Sequence, residues 1–223
     1  MGLRRRAGAV AASAILWLAL GMGLASATHT DLGEAPRPII VAQLAPVGTA
    51  ENAVGTLIVR RGDGRVDSLR GKGSLPLFEG DECRTEKGAR AFIKLADGTQ
   101  IAMNEETTFV IRSRTERTKG ITRIFKMVGG EMWMKTAGPK PIEVETPVAT
   151  AAIKGTEFNI KVAPDGNSTL TVIEGVVEFG TPFGTCPIPA SRQSFGERGK
   201  RCTRPAPVDP ASVISWIAGV VPQ

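Results

Sequence analysis

The chain has 223 residues, of which 42% are hydrophobic and 22% are charged, the balance of an ordinary globular protein with one or two domains. Its 26 glycines and 15 prolines predict a fold rich in turns. The single histidine excludes a site built on two imidazoles, and the three cysteines do not have the spacing of a zinc site. We therefore expect neither a metal nor another cofactor.

The first 27 residues have the features of a secretory signal peptide. Three arginines at positions 4–6 precede an apolar stretch without charge at 7–24, and Ala25-Ser26-Ala27 has the pattern of a signal peptidase site. Cleavage there predicts a periplasmic or secreted protein with no stable transmembrane segment. The alternative is an uncleaved anchor, because about 18 apolar residues can just span a bilayer. Gly21 and Gly23 interrupt the apolar stretch and favour cleavage.

The charge of the mature chain is small. Removing residues 1–27 takes away three arginines and no acid, which lowers the formal net charge from +6 to +3. A nucleic-acid partner is not expected, since such proteins carry a concentrated basic face. The densest basic stretch contains Arg112, Arg114, Arg117 and Lys119, and these are the candidate interaction residues. Attraction to an acidic polysaccharide or to an anionic membrane face stays open, and the expected partner is an envelope protein or polysaccharide.

The middle of the chain predicts a single all-β domain. Residues 28–53 lack hydrophobic periodicity and contain three prolines, as a flexible leader does. From Val54 to Gly180, short apolar alternations separated by turns such as Asp97-Gly98 predict about ten short antiparallel strands. Segments 123–133 and 170–179 share a strand-glycine-strand pattern. Two architectures stay open, a β-sandwich and a stacked β-roll.

The C-terminal part predicts a bridged loop followed by a helix. Cys186 and Cys202 flank a segment rich in proline and glycine, and an oxidising compartment predicts a disulfide between them within a loop over 181–208. Cys83 alternates with charged neighbours and is expected to point inward. Asp209-Pro210 then predicts the start of a short helix over 209–223. Its Trp216 either packs on the β domain or docks on a partner or a membrane.

A series of motifs along the β domain resembles the FecR domain of iron-dicitrate regulators and other exported bacterial proteins. The motifs cover about 100 residues in the family's order, although Lys154 stands where the family more often has arginine. They are Gly80-Asp81, Thr85, Gly88-Ala89, Leu95 to Thr99, Thr146-Pro147, Ala149, Ile153 to Phe158, Asp165-Gly166, Thr169, Thr171-Val172, Glu174-Gly175 and Val177.

The resemblance implies a binding or sensing module of the cell envelope that acts through protein or glycan contacts. In the iron regulators, a cytoplasmic segment binds a sigma factor and a membrane helix follows it. The six residues before the apolar stretch are too short for that segment, so direct sigma-factor binding is not expected. The alternatives are a structural or assembly component of the envelope, and a signalling regulator related to FecR without its own sigma-binding segment. The oligomeric state is left open.

The sequence does not predict an enzyme. His29 lies in the predicted leader, where a catalytic base would have no fixed position. The carboxylate pairs Glu105-Glu106 and Glu143 with Glu145 are of the kind a glycosidase uses, but the first pair lies in a predicted turn, where solvated acids are common. No residue is therefore assigned a catalytic role.

Overall fold

The computed structural model describes residues 45–116, 120–138 and 140–222, with only the backbone of Glu116. The predicted signal peptide, residues 28–44 of the predicted leader, His29, Arg117 and Lys119 all lie outside these residues. The described chain has fifteen strands and one short C-terminal helix. The predicted all-β class is confirmed.

The strands follow one another with short connections. They are β1 (Gly48–Arg60), β2 (Val66–Leu77), β3 (Glu82–Thr85), β4 (Arg90–Leu95), β5 (Gln100–Met103), β6 (Thr108–Glu116), β7 (Gly120–Lys135), β8 (Ile142–Glu145), β9 (Thr150–Ile153), β10 (Glu157–Val162), β11 (Ser168–Glu174), β12 (Val176–Thr181), β13 (Gly184–Pro189), β14 (Arg192–Gly196) and β15 (Ala206–Pro207). The helix α1 (Pro210–Ile214) continues into a 3₁₀ turn at Ser215–Ile217.

Six strands, β1 and β3 to β7, form the closed antiparallel circuit of a small barrel. Since β2 lies along one edge of β1, β3 and β4 lie in succession along the other edge. β5 and β6 lie in succession along one edge of β7 in the same way. The long strands β1 and β7 are therefore bent, and each passes from one layer of the fold to the other.

The bends divide the strands into two layers. Layer 1 contains the first half of β1 (48–54), β4, β5, the second half of β7 (130–135), β10, β11, β14 and β15. Layer 2 contains the end of β1 (57–60), β3, β6, the first half of β7 (120–129), β8, β9, β12 and β13. Within the described residues, β7 with β8 is the parallel pair, and the other ladders are antiparallel.

One hydrophobic core joins both layers. The same buried cluster extends from Ala50 in β1 to Cys202 beyond β14, and includes Phe109, Phe125 and Phe158. The two layers are in close contact, because a Cβ at Gly196 of β14 would lie 3.1 Å from the ring of Phe179 in β12. The fold therefore combines the facing layers of a sandwich with the bent strands of a roll.

Two predicted boundaries are corrected by the strands. β1 begins at Gly48, inside the predicted leader, because small residues such as Ala50 and Ala53 pack in the core without a visible alternation. The predicted loop over 181–208 contains β13 and β14. Their inward positions include Ser194 and Gly196, which are polar or small, so the sequence shows no apolar alternation there.

The C-terminal helix forms where Asp209-Pro210 predicts it, but it is only five residues long. Asp209 is its N-cap, and Asp209 Oδ1 accepts a hydrogen bond of 3.1 Å from the backbone N–H of Ala211. In the described part of the chain, no helix has the length and hydropathy needed to cross a bilayer.

Candidate functional site

The outer face of layer 2 is a sheet surface that no other described element covers. Buried and more exposed residues alternate strictly along β8, β9 and β12, which is the pattern of a sheet with one face packed and one open. In layer 1, by contrast, β4, β5 and β10 each carry three buried residues in succession, because both of their faces are covered. Layer 2 therefore offers the open face.

Charge is divided across this open face. Arg112 and Arg114 on β6 and Lys126 on β7 supply its basic side. Glu143 and Glu145 on β8 are the acidic residues next to this basic side, and each pairs in register with β7. Glu82 on β3 and Glu178 on β12 are further acidic residues of the same face. An ion pair joins Arg114 to Glu143, with side chains that are 45% and 25% exposed. An exposed pair of this kind adds little stability, so its charges are available to a partner.

An apolar residue lies beneath these charged side chains. Ile124 points outward from β7, yet it is only 7% exposed. Its partners in register are Arg112 on one side and Glu143 on the other. Long charged side chains cover apolar surface with their stems while their charged ends stay in water. A partner that displaces these stems would find an apolar centre under a charged rim.

Ile121 and Arg123 alternate with Ile124 along β7, so they point to the side of the β6–β7 hairpin opposite the open face. Ile121 near the hairpin tip is 62% exposed, and Arg123 is anchored by a 2.8 Å hydrogen bond from its Nη1 to Ser113 Oγ. A cavity of about 470 Å³ adjoins these two side chains, and Lys140 and Asp97 are also in its lining. Ile121 and Arg123 therefore border this cavity and are not part of the open face.

The predicted interaction residues are not all brought together. Arg112 and Arg114 lie side by side on one face, as the alternation in β6 requires, while Arg117 and Lys119 lie outside the described residues. Trp216 packs with Trp133 and Phe92 on the opposite side of the molecule, on layer 1. Trp216 therefore follows the packing alternative, and it does not belong to the surface formed by Arg112 and Arg114.

A buried ion-pair centre is the feature that sequence reasoning missed. The Arg61 guanidinium, whose side chain is 9% exposed, donates 2.6 Å hydrogen bonds to Asp67 and Asp81 and lies 5.4 Å from the centre of the Phe78 ring. Burial alone would lower the pKa of Arg61, but the hydrogen bonds that Arg61 donates to Asp67 and Asp81 raise it above its ordinary value. No spacing in the sequence links Arg61 to Asp81, since the contact forms only when β1 ends beside β3.

Beside this centre is a cavity of about 770 Å³ lined by both signs of charge, including Arg65 and Glu79. At its rim, Asp63 accepts hydrogen bonds from the backbone N–H and the side chain of Arg65. These bonds, the backbone one first, lower the pKa of the Asp63 carboxyl. The charge of Arg61 is already balanced by the carboxylates of Asp67 and Asp81. We therefore assign this ion-pair centre a structural role, in which it holds the β1–β2 turn.

The candidate catalytic acids are placed in structural roles. Glu105 lies in a turn and accepts a 2.7 Å hydrogen bond from the backbone N–H of Gly88, while Glu106 adopts a positive φ of 52° in the same turn. Glu143 is paired with Arg114 as described above. Among the residues that the structure describes, no three acidic, histidine or cysteine side chains come together as metal ligands would.

The cysteines are placed as the sequence predicts. Cys186 and Cys202 form a disulfide, with Cα atoms 6.2 Å apart, and Cys83 is a buried free thiol. The bridge joins β13 of layer 2 to the segment that follows β14 of layer 1.

Several motif residues hold turns and bends. Asp97 Oδ1 accepts from the backbone N–H of Thr99 at 2.9 Å, and Thr146 Oγ1 accepts from Ala149 N–H at 3.0 Å. Glu157 does not pair with its neighbour Lys154. It accepts a 3.1 Å hydrogen bond from Trp133 Nε1 and pairs with Lys135, whose pKa it raises. These motif residues maintain the fold.

Comparison with known proteins agrees with this architecture. Residues 81–178 match the family model described as FecR protein, so the chain carries a FecR domain. This domain begins at β3 and ends within β12. No curated protein matches the chain.

Two crystal structures of a Parabacteroides distasonis ATCC 8503 protein, described as a "putative anti-sigma factor", are similar in fold. Each has a TM-score of 0.52, with sequence identities of 24% and 25%. The similarity covers 62% of this chain and 65% and 64% of those chains, slightly less than two thirds of their length.

Proposed function

We propose that this protein is an exported, non-enzymatic FecR-domain module that binds another component of the cell envelope through the open face of layer 2. The observation that carries the proposal is this face itself, where Arg112, Arg114 and Lys126 lie together around the covered side chain of Ile124. Export is supported by the signal-like residues 1–27.

An acidic protein surface is the partner that this face fits best. The cations on β6 and β7 would steer an acidic partner towards the face. Ile124 would then supply apolar contact area at short range, as in the centre of ordinary protein interfaces. An acidic polysaccharide would use the cations but leave the aliphatic side chain of Ile124 without contacts.

Charge reversal on β6 tests the proposal. We expect Arg112→Glu combined with Arg114→Glu to reduce, several-fold, the amount of partner recovered by cross-linking on intact cells. A matched control is Arg198→Glu with Lys200→Glu, which changes the charge equally at two exposed loop residues. A further variant, Arg114→Glu with Glu143→Arg, exchanges the two charges and keeps the ion pair. It distinguishes the effect of breaking the ion pair from the effect of removing positive charge from β6.

Three results would contradict the proposal. They are equal recovery with both charge-reversal variants, a cytoplasmic location of the mature chain, and turnover of a substrate that is lost when one carboxylate is replaced. The variants should keep the unfolding temperature of the parent protein within a few degrees, because the replaced side chains are exposed.

A signalling role is a second candidate, and it is favoured by the similarity to the Parabacteroides distasonis protein. In that case the partner on layer 2 would be a protein of a signalling complex, and the same cross-linking experiment would identify it. A structural or assembly role would instead yield a polymer or a multi-component complex.

A further inference from the structure

The outer face of layer 1 is covered by the chain's own C-terminal segment. A row of outward-facing residues crosses six strands of this layer in register, and we call it the layer 1 row. The row contains Asn52, Phe92, Ala102, Trp133, Asn159 and Thr171. Residues 210–221 pack against it, with Val220 only 1% exposed.

This contact is separate from the main core. Phe92, Ala102 and Trp133 form their own buried cluster with Val220, joined by Trp216 and the aliphatic residues of the segment. The core between the two layers ends at Cys202 and contains no residue of the C-terminal segment. Release of the segment would therefore uncover the layer 1 row and leave the core between the layers intact.

Few polar contacts hold the segment in place. Among the described residues, the side-chain hydrogen bond that ties it to the row is Asn52 Nδ2 to the carbonyl oxygen of Val220, at 3.2 Å. The connection back to β14 includes Pro205, Pro207 and Pro210, and the backbone N–H of Val208 donates to Ser191 at 3.1 Å before the segment begins. The segment is thus attached mainly by apolar contact.

The fit between the segment and the row is chemically incomplete. Asn159 is 2% exposed, and its Oδ1 accepts no hydrogen bond, while its Nδ2 donates to Glu131 Oε1 at 3.0 Å. Within the segment, Trp216 Nε1 is buried and donates to no acceptor. Buried polar atoms without partners weaken a contact, because they lose their water and gain nothing in return. The row therefore has an unused acceptor.

We propose that the layer 1 row is a binding groove for a short, uncharged apolar segment of a partner protein, and that the C-terminal segment is its resident competitor. Residues 210–222 contain no charged side chain, which shows the chemistry that the groove accepts. A partner segment that places a side-chain donor at Asn159 Oδ1 would fit better than the resident one. A second copy's C-terminal segment would leave the same two atoms unpaired, so it is the poorer occupant.

Opening the groove in the full-length chain tests this proposal. Val220→Asp places a charge at a buried position and should expel the segment, whereas Ala211→Asp places the same charge at an exposed position and should not. The probe is a fluorescent peptide with the sequence of residues 209–223. We expect the Val220→Asp chain to bind the probe at least tenfold more tightly than either the parent chain or the Ala211→Asp control.

Two further variants connect binding to the row. Trp133→Ala, added to Val220→Asp, should abolish binding of the probe, because Trp133 is the largest side chain of the row. Asn159→Leu in the same background should tighten binding of the probe, since it removes the unmet acceptor. Weaker binding in the Asn159→Leu chain would contradict the assignment of that acceptor.

The proposal is overturned by any of three outcomes. The Val220→Asp chain could stay folded and fail to bind the probe, or it could lose its native circular dichroism, which would make the segment an integral part of the fold. Dimers of the parent chain that dissociate when residues 209–223 are removed would identify a second copy as the occupant. None of these outcomes bears on the open face of layer 2, which lies on the other layer.

Discussion

At the scale of single residues, the Arg61 centre is the most consequential buried interaction. Arg61 bonds Asp67, Asp81 and the carbonyl oxygen of Pro76, and Asp81 also accepts from the backbone N–H of Phe78 at 2.8 Å. These contacts join the end of β1 to both ends of β2 and to the residue before β3. A buried charge of this kind is tolerated only while its partners stay in place.

Removal of Asp81 should therefore destabilise the protein strongly. The Asp81 side chain is 2% exposed, so Asp81→Ala leaves Arg61 buried with an incomplete set of partners. We expect a loss of about 3–5 kcal/mol in the free energy of unfolding, measured by urea denaturation. Asp67→Ala is the control, because the Asp67 side chain is 47% exposed and its loss should cost about 1 kcal/mol or less. Equal effects of the two variants would contradict this account.

Cys83 should be chemically inert in the folded protein. Complete burial raises the pKa of its thiol far above the ordinary value, and Asp81 nearby adds to the shift. We expect no labelling of native protein by a maleimide at pH 8, and labelling of one thiol after unfolding without reductant. Because the folded pKa is raised, this thiol favours unfolding only above the ordinary thiol pKa, where the unfolded chain releases a proton. Rapid labelling of the native state would show that Cys83 is accessible.

At the scale of elements, the bend of β7 decides how the two layers are connected. β7 pairs with β6 and β8 before the bend and with β5 and β10 after it. The bend falls at Gly129-Gly130, where Gly130 has a φ of +90°. A Cβ at Gly130 would overlap the backbone of Thr107. Only glycine therefore allows β7 to pass this close to Thr107 at the bend.

Two neighbouring glycines provide a matched test of this bend. Gly130→Ala should destabilise the protein by at least about 2 kcal/mol, from the overlap with Thr107 and the positive φ together. Gly129→Ala has open space around the added methyl group and an ordinary φ, and it should change stability by less than about 1 kcal/mol. Thermal unfolding followed by circular dichroism distinguishes them. A Gly130→Ala variant as stable as Gly129→Ala would refute the role of the bend.

The disulfide should stabilise the end of the fold where β13 and β14 lie. It joins Cys186 to Cys202, which are 16 positions apart in the sequence, and links the two layers. Replacing both cysteines by serine should cost about 3 kcal/mol by the loss of the constraint on the unfolded chain. Urea denaturation of the variant and the parent protein measures the difference. Peptide mapping that joins Cys83 to either partner would contradict the pairing.

Much of this element structure could be predicted, but not its assembly. Alternation and D-G turns predict the strands from β4 to β8 and from β10 to β12, because each of them has apolar inward residues. β9 is not among the predicted strands. β2 was missed because most of its residues are exposed on both faces, and β14 because its inward residues are Ser194 and Gly196. At the candidate site, Arg112 and Arg114 are visible as a local basic stretch. The Arg61 centre depends on contacts between distant segments, for which a single sequence gives no signal.

At the scale of the whole molecule, the cooperative unit is larger than the FecR domain match. The family match spans 81–178, yet the continuous core reaches from Ala50 to Cys202. β1 pairs with both β3 and β4, and β14 pairs with β11, so strands outside the match complete the sheets inside it. Removing them would expose sheet edges and inward-facing residues such as Leu170.

A fragment limited to residues 81–178 should therefore fail to fold on its own. It would lack β1, which provides Leu57 and Val59 to the core, and it would lack both disulfide cysteines. We expect poor amide dispersion in its NMR spectrum and no cooperative thermal transition. The fragment 45–222 is the control, and it should unfold in one transition that is the same by fluorescence and circular dichroism, because the two layers share a single core. A well-dispersed spectrum from residues 81–178 would show that the two outer parts of the chain are accessories to an independent domain.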